Sequence, residues 1–351
     1  MRILLTGGCG FIGSAVVRHL IRNTAHSVIN IDKMTYAASE PALEEARRSP
    51  RHVLVSADVA DAPAMEAVFT LHRPDAVMHL AAETHVDRSI DGPRAFVETN
   101  VVGTYVLLNA ARAYWSALAT GGKEEFRFHH VSTDEVFGAL GAADPPFTEA
   151  TPYSPRSPYA ASKAASDHLV RAWFHTYGLP TTVSNTTNNY GPWQFPEKLV
   201  PLITINALEG KPLPVYGSGA NRRDWLYVDD HAEALVRVLE RGTPGATYCI
   251  GGCSPTSNLE IVELICRLLD ELAPDPEGPH ARRIRFVADR PGHDFRYEID
   301  PTPAEVALSW RARHDLAHGL RRTLGWYLAN RAWWQQLRAT RYGGERLGTA
   351  A

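Results

Sequence analysis

The chain has 351 residues, enough to bury a large core in one or two domains. Its 36 Lys and Arg residues nearly balance its 39 Asp and Glu residues, which leaves a formal net charge of −3 at pH 7. This balance argues against a protein that binds nucleic acid or a membrane through the overall charge of its surface.

The four cysteines, Cys9, Cys249, Cys253 and Cys266, do not form a disulfide framework. Cys249 and Cys253 could begin a metal site, but no pattern supplies the other ligands, so we expect buried thiols and no metal. The chain starts directly with a strand and a glycine turn, which leaves no room for a signal peptide, and no apolar run is long enough to span a membrane. We therefore expect a cytoplasmic protein.

The first part of the chain alternates predicted strands and helices. The strands are predicted at 3–5, 28–32, 52–56 and 76–80, and the helices at 15–21, 41–48 and 62–72. The next units are a helix at 94–119, a strand at 126–132, a helix at 158–177 and a strand near 181–187. This order predicts an α/β protein of the Rossmann class, with a doubly wound parallel sheet and helices on both faces.

The second half of the chain predicts a smaller α/β domain that is interleaved with the first. We assign residues 1–187 to a dinucleotide-binding Rossmann domain, and residues 188–222 and 250–351 mainly to a substrate domain. Residues 223–249 contain a predicted strand and helix that we expect to return to the Rossmann domain. The aromatic segment 326–334 is predicted to pack against the core.

The glycines at positions 7, 10 and 13 predict a dinucleotide site. A glycine triplet alone is a weak signal, but this one follows a strand, opens a helix, and is accompanied by Asp32 at the end of the second strand. The helix N-terminus would face the pyrophosphate. Asp32 can accept a hydrogen bond from the adenosine ribose and would repel a 2′-phosphate, so NAD is favoured over NADP, although the neighbouring Lys33 weakens this preference.

Other residues near the strand ends are expected to contact the same cofactor. Asp58 and Val59 would flank the adenine, unless Asp58 only caps its loop. The small residues at 80–82 would let the backbone lie against the nicotinamide ribose, unless they serve only helix–sheet packing. The complete predicted cofactor set is Gly7, Gly10, Phe11, Ile12, Gly13, Asp32, Lys33, Thr35, Asp58, Val59, Leu80, Ala81, Ala82, Thr99, Tyr159, Lys163 and Asn189.

Tyr159 and Lys163 lie four residues apart on a predicted helix, so their side chains share one face. A free tyrosine ionises near pKa ~10. A neighbouring ammonium group and a positively charged nicotinamide would lower that pKa, which would allow Tyr159 to act as a base. Lys163 can also bind the nicotinamide ribose. Thr133, at a strand end, supplies a hydroxyl donor for a sugar oxygen.

Asp134 and Glu135 follow Thr133 directly and add a second acid–base pair, which simple hydride transfer does not need. Elimination of water needs one acid and one base, and adjacent carboxyls can serve if their pKa values differ. Asp134 would act as the acid if burial or the negative Glu135 keeps it protonated. The alternative is a pair that only caps the strand end.

Taken together, these motifs resemble the extended short-chain dehydrogenases/reductases, and within them the NAD-dependent nucleotide-sugar dehydratases. The resemblance covers nearly the whole chain. The selective segments are Thr-Asp-Glu at 133–135 and Asp-Arg-Pro-Gly-His at 289–293. The segments that carry it are 6–13, 79–89, 132–138, 157–163, 188–192, 195–199, 223–225 and 288–294. Two positions depart from the family pattern, with Cys9 in place of alanine and Phe137 in place of tyrosine.

The resemblance implies a redox-neutral dehydration of a nucleotide-linked glucose, with dTDP-glucose as the expected substrate. Tyr159 would take the proton of the 4-hydroxyl while NAD accepts the C4 hydride, with Thr133 on the same oxygen. Glu135 would then remove the C5 proton and Asp134 would protonate the departing 6-hydroxyl. Hydride return to C6 would regenerate NAD, which is expected to stay tightly bound. The product would be a 4-keto-6-deoxy sugar for deoxysugar synthesis, such as that of dTDP-rhamnose.

The same resemblance implies a set of substrate contacts, each of which would otherwise be an ordinary loop residue. Asn188, Lys198 and Arg223 suit a diphosphate. The shape around 214–216 would decide between thymine and uracil, which the sequence leaves open. The complete predicted substrate set is Thr84, Thr133, Asp134, Glu135, Asn188, Lys198, Leu199, Pro214, Tyr216, Arg223, Asn258, Asp289, Arg290 and His293.

Two alternatives to this function stay open. The first is an epimerase or decarboxylase of nucleotide sugars with the same fold, which would generally lack the Thr-Asp-Glu triplet. The second is a non-catalytic NAD-binding protein, which would be expected to lose Tyr159, Lys163 or the carboxylates. Relatives also imply a homodimer that forms through the helices at 94–119 and 158–177.

Overall fold

The computed structural model describes residues 1–289, 292–345 and 347. Its centre is a seven-stranded parallel sheet, and three two-stranded sheets lie in the second half. In chain order, the strands are β1 (Arg2–Thr6), β2 (Ser27–Asp32), β3 (His52–Ser56), β4 (Ala76–His79), β5 (Arg127–Thr133), β6 (Thr181–Thr186), β7 (Asn188–Tyr190), β8 (Leu213–Tyr216), β9 (Arg222–Arg223), β10 (Trp225–Tyr227), β11 (Thr247–Ile250), β12 (Thr256–Ser257) and β13 (Ile284–Val287).

The helices lie on both faces of the large sheet and around the second half. Short 3₁₀ turns occur at Glu40–Leu43, Asp134–Phe137 and His280–Arg283, and Val97–Val102 forms a π-helical turn. In chain order, the α-helices are α1 (Phe11–Asn23), α2 (Glu44–Arg47), α3 (Ala62–His72), α4 (Val86–Asp91), α5 (Pro93–Phe96), α6 (Gly103–Ser116), α7 (Thr120–Glu125), α8 (Pro158–Tyr177), α9 (Leu199–Leu208), α10 (Val228–Arg241), α11 (Asn258–Leu272), α12 (Thr302–Leu308), α13 (Leu316–Ala329) and α14 (Arg331–Thr340).

The predicted doubly wound parallel sheet is confirmed. Its strand order is β11-β6-β5-β4-β1-β2-β3, so the direction of winding reverses beside β1. In such sheets the carboxyl ends of the strands meet at one edge, and a crevice opens where the winding reverses. The sheet therefore fixes where the functional residues collect.

Alternating residues of β1 pack into two separate apolar layers, one on each face of the sheet. Ile3 and Leu5 pack with α1 and α10 on one face, and Leu4 packs with α3, α6 and α8 on the other. Because both faces are covered by helices, the strand is a continuous apolar run, as is typical of parallel sheets.

The predicted helix at 94–119 is instead a broken helical region. It begins with α5, which follows α4, then passes through the π-helical turn and continues as α6. Within the π turn, Asn100 Nδ2 donates to the Glu83 carbonyl at 3.0 Å and to Ser162 Oγ at 2.8 Å. At the next residue after the turn, a Cβ on Gly103 would lie 2.8 Å from Val59 Cγ2, so only glycine allows this close crossing. The irregularity therefore connects the loop after β4 to α8.

The second half has its own apolar core, formed by α9, α11 and α13 around the short strands. Two elements nevertheless belong to the large sheet layer, because β11 pairs with β6 and α10 packs against α1. The aromatic segment before the C-terminus is largely internal, with Tyr327 and Trp334 fully buried. The division into two interleaved domains stays a prediction.

Within the described residues, no helix is both long enough and apolar enough to cross a membrane. The cysteines are unpaired, and Cys253 is the exposed one. Across the same residues, no cluster of three or more His, Cys, Asp or Glu side chains is arranged as a metal site.

Removing the N-cap of α8 should weaken the fold at the helix that carries Tyr159. The Ser157 hydroxyl accepts a hydrogen bond from the Ala160 N–H at 3.0 Å, and Pro158 occupies the first turn. We expect Ser157→Ala to lower the free energy of unfolding by about 1 kcal/mol, measured by urea denaturation. Ser157→Asp keeps an acceptor and serves as the control; equal destabilisation by both variants would contradict the capping role.

Candidate active site

One cleft lies over the carboxyl ends of the strands of the large sheet. All the predicted catalytic residues line it, together with every predicted cofactor residue except Asp58. Its walls come from the turn after β1, the ends of β2 and β5, and the loops after β4, β6 and β7. Side chains from α8 and α10 complete it.

The glycine turn is packed so tightly that two of its glycines have no room for a side chain. Gly7 has φ +74°, and a Cβ on it would lie 2.8 Å from the backbone of Ala81. A Cβ on Gly13 would lie 2.1 Å from the Gly7 carbonyl oxygen. Helix α1 begins immediately afterwards with Gly10 as its N-cap, which provides no side-chain hydrogen bond. The backbone at the start of α1 therefore forms part of the cleft surface, as phosphate binding requires.

Asp32 connects this turn to β2. Its carboxylate accepts the N–H of Cys9 at 2.9 Å and the N–H of Met34 at 2.8 Å. Burial raises the pKa of Asp32, and these two backbone hydrogen bonds oppose that rise. Each carboxylate oxygen retains a second acceptor position, so a ribose hydroxyl can still be bound.

Asp58 does not line the cleft. Its carboxylate accepts the Ala60 N–H at 2.9 Å and lies 3.5 Å from Lys33 Nζ, while Lys33 also donates to Thr99 at 3.1 Å. This is the loop-capping arrangement that the sequence left as the alternative. A contact of Asp58 with adenine stays a prediction.

The Thr-Asp-Glu triplet spans the end of β5 and the start of a 3₁₀ turn. Thr133 Oγ1 accepts the Glu135 N–H at 3.2 Å and lies 3.3 Å from Asp134 Oδ1, to which it donates. The Asn185 amide donates to the Thr133 carbonyl at 3.0 Å. These contacts hold the strand end firmly, and they keep Thr133, Asp134 and Glu135 together at the cleft wall.

Asp134 has the electrostatic environment of a general acid. It is 1 % exposed. Burial raises its pKa well above the ordinary value, and the negative charge of Glu135 raises it further, against a smaller opposing effect of Arg223. Asp134 therefore favours its protonated form, as the sequence argument required.

Tyr159 and Lys163 are both buried in the cleft on one face of α8. The expected lowering of the Tyr159 pKa is not produced by the protein. Burial and the charge of Glu135 raise this pKa, and only a hydrogen bond with Thr133 lowers it. The ammonium of Lys163 is instead directed to the Val131 carbonyl at 2.9 Å, and burial lowers its pKa to about 8.

His231, from α10, lines the cleft and was not predicted. Its Nδ1 lies 2.9 Å from Asn189 Oδ1, and its Nε2 lies 3.1 Å from Thr186 Oγ1. Asn189 Nδ2 in turn donates to the Thr187 carbonyl at 3.0 Å. Burial lowers the His231 pKa to about 3, so the ring is neutral and fixes the orientation of the Asn189 amide. A lone histidine in an amphipathic helix carries no sequence signal for such a role.

Several other cleft residues were also missed, although three of them, Glu83, Phe195 and Glu197, lie in quoted segments. These residues are Tyr36, Glu83, Gln194, Phe195 and Glu197. Phe195 and Glu197 belong to the segment 195–199 that carried part of the resemblance, where only Lys198 and Leu199 were singled out. Their roles depend on long-range contacts that a motif does not reveal.

The predicted substrate residues divide into two groups. Besides the Thr-Asp-Glu triplet, Thr84, Asn188 and Lys198 line the cleft, and Lys198 Nζ donates to the Thr84 carbonyl at 3.1 Å. The remaining described members lie outside the cleft lining, and they are Leu199, Pro214, Tyr216, Arg223, Asn258, Asp289 and His293. Arg290 lies outside the described residues.

Part of this second group forms a cluster of its own. His293 Nδ1 lies 2.6 Å from Asp289 Oδ1, and its ring centroid is 6.4 Å from that of Tyr216. Arg223 stacks on Tyr297 at 4.3 Å and acts electrostatically on Asp134. This last interaction links the second group to the cleft. The substrate roles stay predictions.

Phe137, where relatives commonly have tyrosine, does not line the cleft. It is buried against Phe147 and Tyr153, with ring centroids 5.1 Å and 5.2 Å away. A phenyl ring suits this apolar cluster.

Comparison with known proteins gives one family and close relatives. Residues 4–323 match the family model described as GDP-mannose 4,6 dehydratase. The dTDP-glucose 4,6-dehydratase 1 of Escherichia coli (strain K12) is 57 % identical over 350 residues, covering 97 % of each chain. The dTDP-glucose 4,6-dehydratase of Neisseria meningitidis serogroup B is 56 % identical over 351 residues, covering 99 % of each.

One solved structure of a protein with the same activity is also similar to this chain. The dTDP-glucose 4,6-dehydratase of Streptomyces venezuelae, solved with NAD and dTDP bound, is 44 % identical and superposes with a TM-score of 0.87. The match covers 96 % of this chain and all of that one.

The proton on Asp134 should make stability depend on pH. Because its pKa in the folded protein lies above the ordinary value of 3.8, its contribution is complete below that value and is lost as the pH rises through the folded pKa. Asp134→Asn has no such proton to lose. We therefore expect the wild type to lose stability relative to Asp134→Asn as the pH rises from about 4 to 8, measured by urea denaturation at each pH. A stability difference that stays constant over this range would contradict the burial-raised pKa.

Proposed function

The chain belongs to the GDP-mannose 4,6 dehydratase family, and on that basis we propose that it is an NAD-dependent lyase, a dTDP-glucose 4,6-dehydratase. The observation that carries this proposal is the Thr133-Asp134-Glu135 triplet, which lines the same cleft as Tyr159 and Lys163. The high identity to dTDP-glucose 4,6-dehydratases over nearly the full length supports the choice of substrate.

The cleft fits NAD on its own geometry. Gly7 and Gly13 pack closely and have no side chains, so a pyrophosphate can approach the backbone of the turn. The carboxylate oxygens of Asp32 can accept hydrogen bonds from a ribose. When bound, NAD supplies the hydride acceptor for oxidation at C4 and the hydride donor for reduction at C6. The neutral His231 ring holds the Asn189 amide, which we assign to the nicotinamide side of the cleft.

For the oxidation, Tyr159 removes the proton of the sugar 4-hydroxyl, and Thr133 donates a hydrogen bond to the same oxygen. In the unliganded site the single Thr133 proton is directed to Asp134, and its rotation towards the Tyr159 phenol and the sugar oxygen would favour the ionised phenol. Lys163, on the same face of α8 as Tyr159, donates to the Val131 carbonyl at the end of β5.

For the elimination, Glu135 removes the proton from C5, which the new ketone at C4 has made acidic. Asp134 donates its proton to the departing 6-hydroxyl, so that water leaves. The two carboxyls can take opposite roles because Asp134 is buried and its pKa is raised, while Glu135 is only partly buried. After the hydride has returned to C6, Glu135 gives its proton back to C5. The proton that Tyr159 took from the 4-hydroxyl replaces the one that Asp134 gave to the leaving hydroxyl, so the net change is the loss of one water.

An epimerase or decarboxylase of the same fold is less well supported. Either one needs the oxidation at C4, for which Tyr159 and Lys163 suffice, and neither needs an acid at C6. A protonated Asp134 in the cleft provides the acid that expulsion of the 6-hydroxyl requires, which favours dehydration.

We further propose a homodimer through the region of α5 and α6 together with α8. Val97, Val102 and Tyr105 are 50 %, 42 % and 47 % exposed there, and Tyr177 on α8 is 42 % exposed. The ring centroid of Tyr105 lies 6.0 Å from that of Trp173, so the two helices form one apolar surface. A cytoplasmic location stays a prediction.

Incubation with dTDP-glucose tests the dehydratase directly. We expect the sugar nucleotide to lose the mass of one water without net change in NAD, as followed by mass spectrometry. Unchanged mass with dTDP-, UDP- and GDP-glucose would refute dehydration. Water loss from UDP- or GDP-glucose but not from dTDP-glucose would refute only the choice of nucleotide.

Glu135→Gln should separate the two half-reactions. Because Glu135 acts on C5, we expect elimination to slow by about 10²- to 10⁴-fold while oxidation at C4 changes much less. NADH absorbance and product mass in single-turnover reactions report the two steps. Equal slowing of both would contradict the role given to Glu135.

Charges placed in the apolar surface should separate the dimer. We expect sedimentation to give twice the chain mass of 38.7 kDa for the wild type, and the chain mass for the double variant Val102→Asp, Tyr105→Asp. Val306→Asp is the control, since this valine is 77 % exposed on α12. A wild type that sediments as a monomer would refute the dimer.

A further inference from the structure

Residues 193–198, which we call the strap, form one edge of the cofactor cleft. Gln194, Phe195, Glu197 and Lys198 of the strap line the cleft. Several side-chain contacts join the strap to the nucleotide-binding side. Tyr36 donates to Glu197, the Phe195 ring packs 5.4 Å from the Tyr36 ring, and Lys198 donates to the carbonyl of Thr84.

The central contact is a buried carboxylate with two partners. Tyr36 OH donates to Glu197 Oε1 at 3.0 Å, and Arg88 Nε donates to Glu197 Oε2 at 2.9 Å. The Arg88 guanidinium also lies 4.1 Å above the centroid of the Tyr36 ring. The Glu197 side chain is only 3 % exposed, so both hydrogen bonds are shielded from water. Three segments far apart in sequence are therefore joined through the Glu197 carboxylate.

The strap is also fixed from behind by the C-terminal helices. Trp193 has φ +70°, an unfavourable conformation that persists because its ring packs 4.7 Å from Trp326 and 5.3 Å from Trp333. Tyr327 OH donates to the Gln194 carbonyl at 2.6 Å. These contacts hold the side of the strap that faces α13 and α14.

The loop that carries Tyr36 is held by the same helices. Arg341 Nη1 donates to the carbonyls of Tyr36 and Ala38 at 2.9 Å and 2.8 Å, and Trp333 Nε1 donates to Ser39 Oγ at 3.1 Å. Residues 35–38 of this loop line the cleft on the Asp32 side. The strap and this loop thus form opposite edges of the cleft, and the Tyr36–Glu197 hydrogen bond joins them.

We propose that Glu197, Tyr36 and Arg88 are positioning residues that close the strap over bound NAD and control its release. This inference rests on the proposed function, in which NAD accepts and returns the same hydride. Such a cycle gains nothing from release of the cofactor, and an opening cleft would lose it between the two half-reactions. Opening the cleft would break the hydrogen bonds of the buried Glu197 carboxylate with Tyr36 and Arg88, and this cost slows the release of NAD.

The test measures exchange of NAD rather than turnover. Protein purified with NAD bound is mixed with excess isotopically labelled NAD, without sugar, and bound label is followed after rapid filtration. We expect Glu197→Gln to exchange about 10- to 100-fold faster than wild type, the range expected for loss of a charged hydrogen bond. Tyr36→Phe, which removes only the hydroxyl, should exchange faster by a smaller factor.

Two comparisons separate closure of the strap from general destabilisation. Glu271→Gln makes the same chemical change at an exposed ion pair with Arg321 and should exchange like the wild type. The double variant Tyr36→Phe, Glu197→Gln should exchange more slowly than the product of the single effects predicts, because both changes break one contact. Glu197→Gln should also lose activity on dilution and regain it when NAD is added.

The outcomes distinguish this inference from the proposed function. If wild type dehydrates dTDP-glucose but Tyr36→Phe and Glu197→Gln exchange NAD at the wild-type rate, the strap proposal is overturned and the function stands. If Glu197→Gln does not fold, Tyr36→Phe decides by the same criterion. A wild type that neither holds NAD nor dehydrates the sugar overturns both.

Discussion

The geometry of the site depends on the contacts made by the buried carboxylate of Asp167. This carboxylate lies one helical turn after Lys163 on α8, and it lies 3.1 Å from His130 of β5 and from the amide of Asn185 of β6. The same Asn185 amide donates to the Thr133 carbonyl. One charge therefore joins the helix that carries Tyr159 to the strand that carries Thr133, so the distance between base and donor is set by the core of the protein.

Two buried carboxyls near this site have pKa values that are shifted in opposite directions because their neighbours differ. Burial alone would raise the pKa of both. Asp134 has the negative Glu135 beside it, so its pKa rises well above the ordinary value. For Asp167, burial is outweighed by His130, Lys163 and Ser132, so its pKa is lowered. The site thus holds a proton donor and a fixed negative charge only a short distance apart.

The redox-neutral chemistry also gives a reason for the long C-terminal region. An enzyme that regenerates its cofactor in every cycle needs a cleft that admits sugar while it retains NAD. In this chain, α13 and α14 hold both the strap and the loop that carries Tyr36. The part of the protein most distant in sequence from the glycine turn therefore holds two of the segments that line the cleft.

Some features of this protein depend only on residues that are close together in the sequence. The glycine turn, the alternation of strands and helices and the positions of Tyr159 and Lys163 follow from patterns within a few residues, and α8 begins and ends where the pattern predicted. The broken helix around Asn100 was not predicted, because its π turn serves contacts with Glu83 and Ser162 that are far away in the chain. The loop-capping geometry of Asp58 likewise depends on which neighbours surround it.

The sequence by itself determined the fold class and the glycine turn, and it predicted the catalytic groups, because these depend on residue type and short-range spacing. Only the tertiary structure decided the protonation of Asp134, the direction of the Lys163 ammonium and the contact between Tyr36 and Glu197. Burial and pairing set these properties. The last two residues are 161 positions apart, and no local pattern records which distant groups a folded chain will bring into contact.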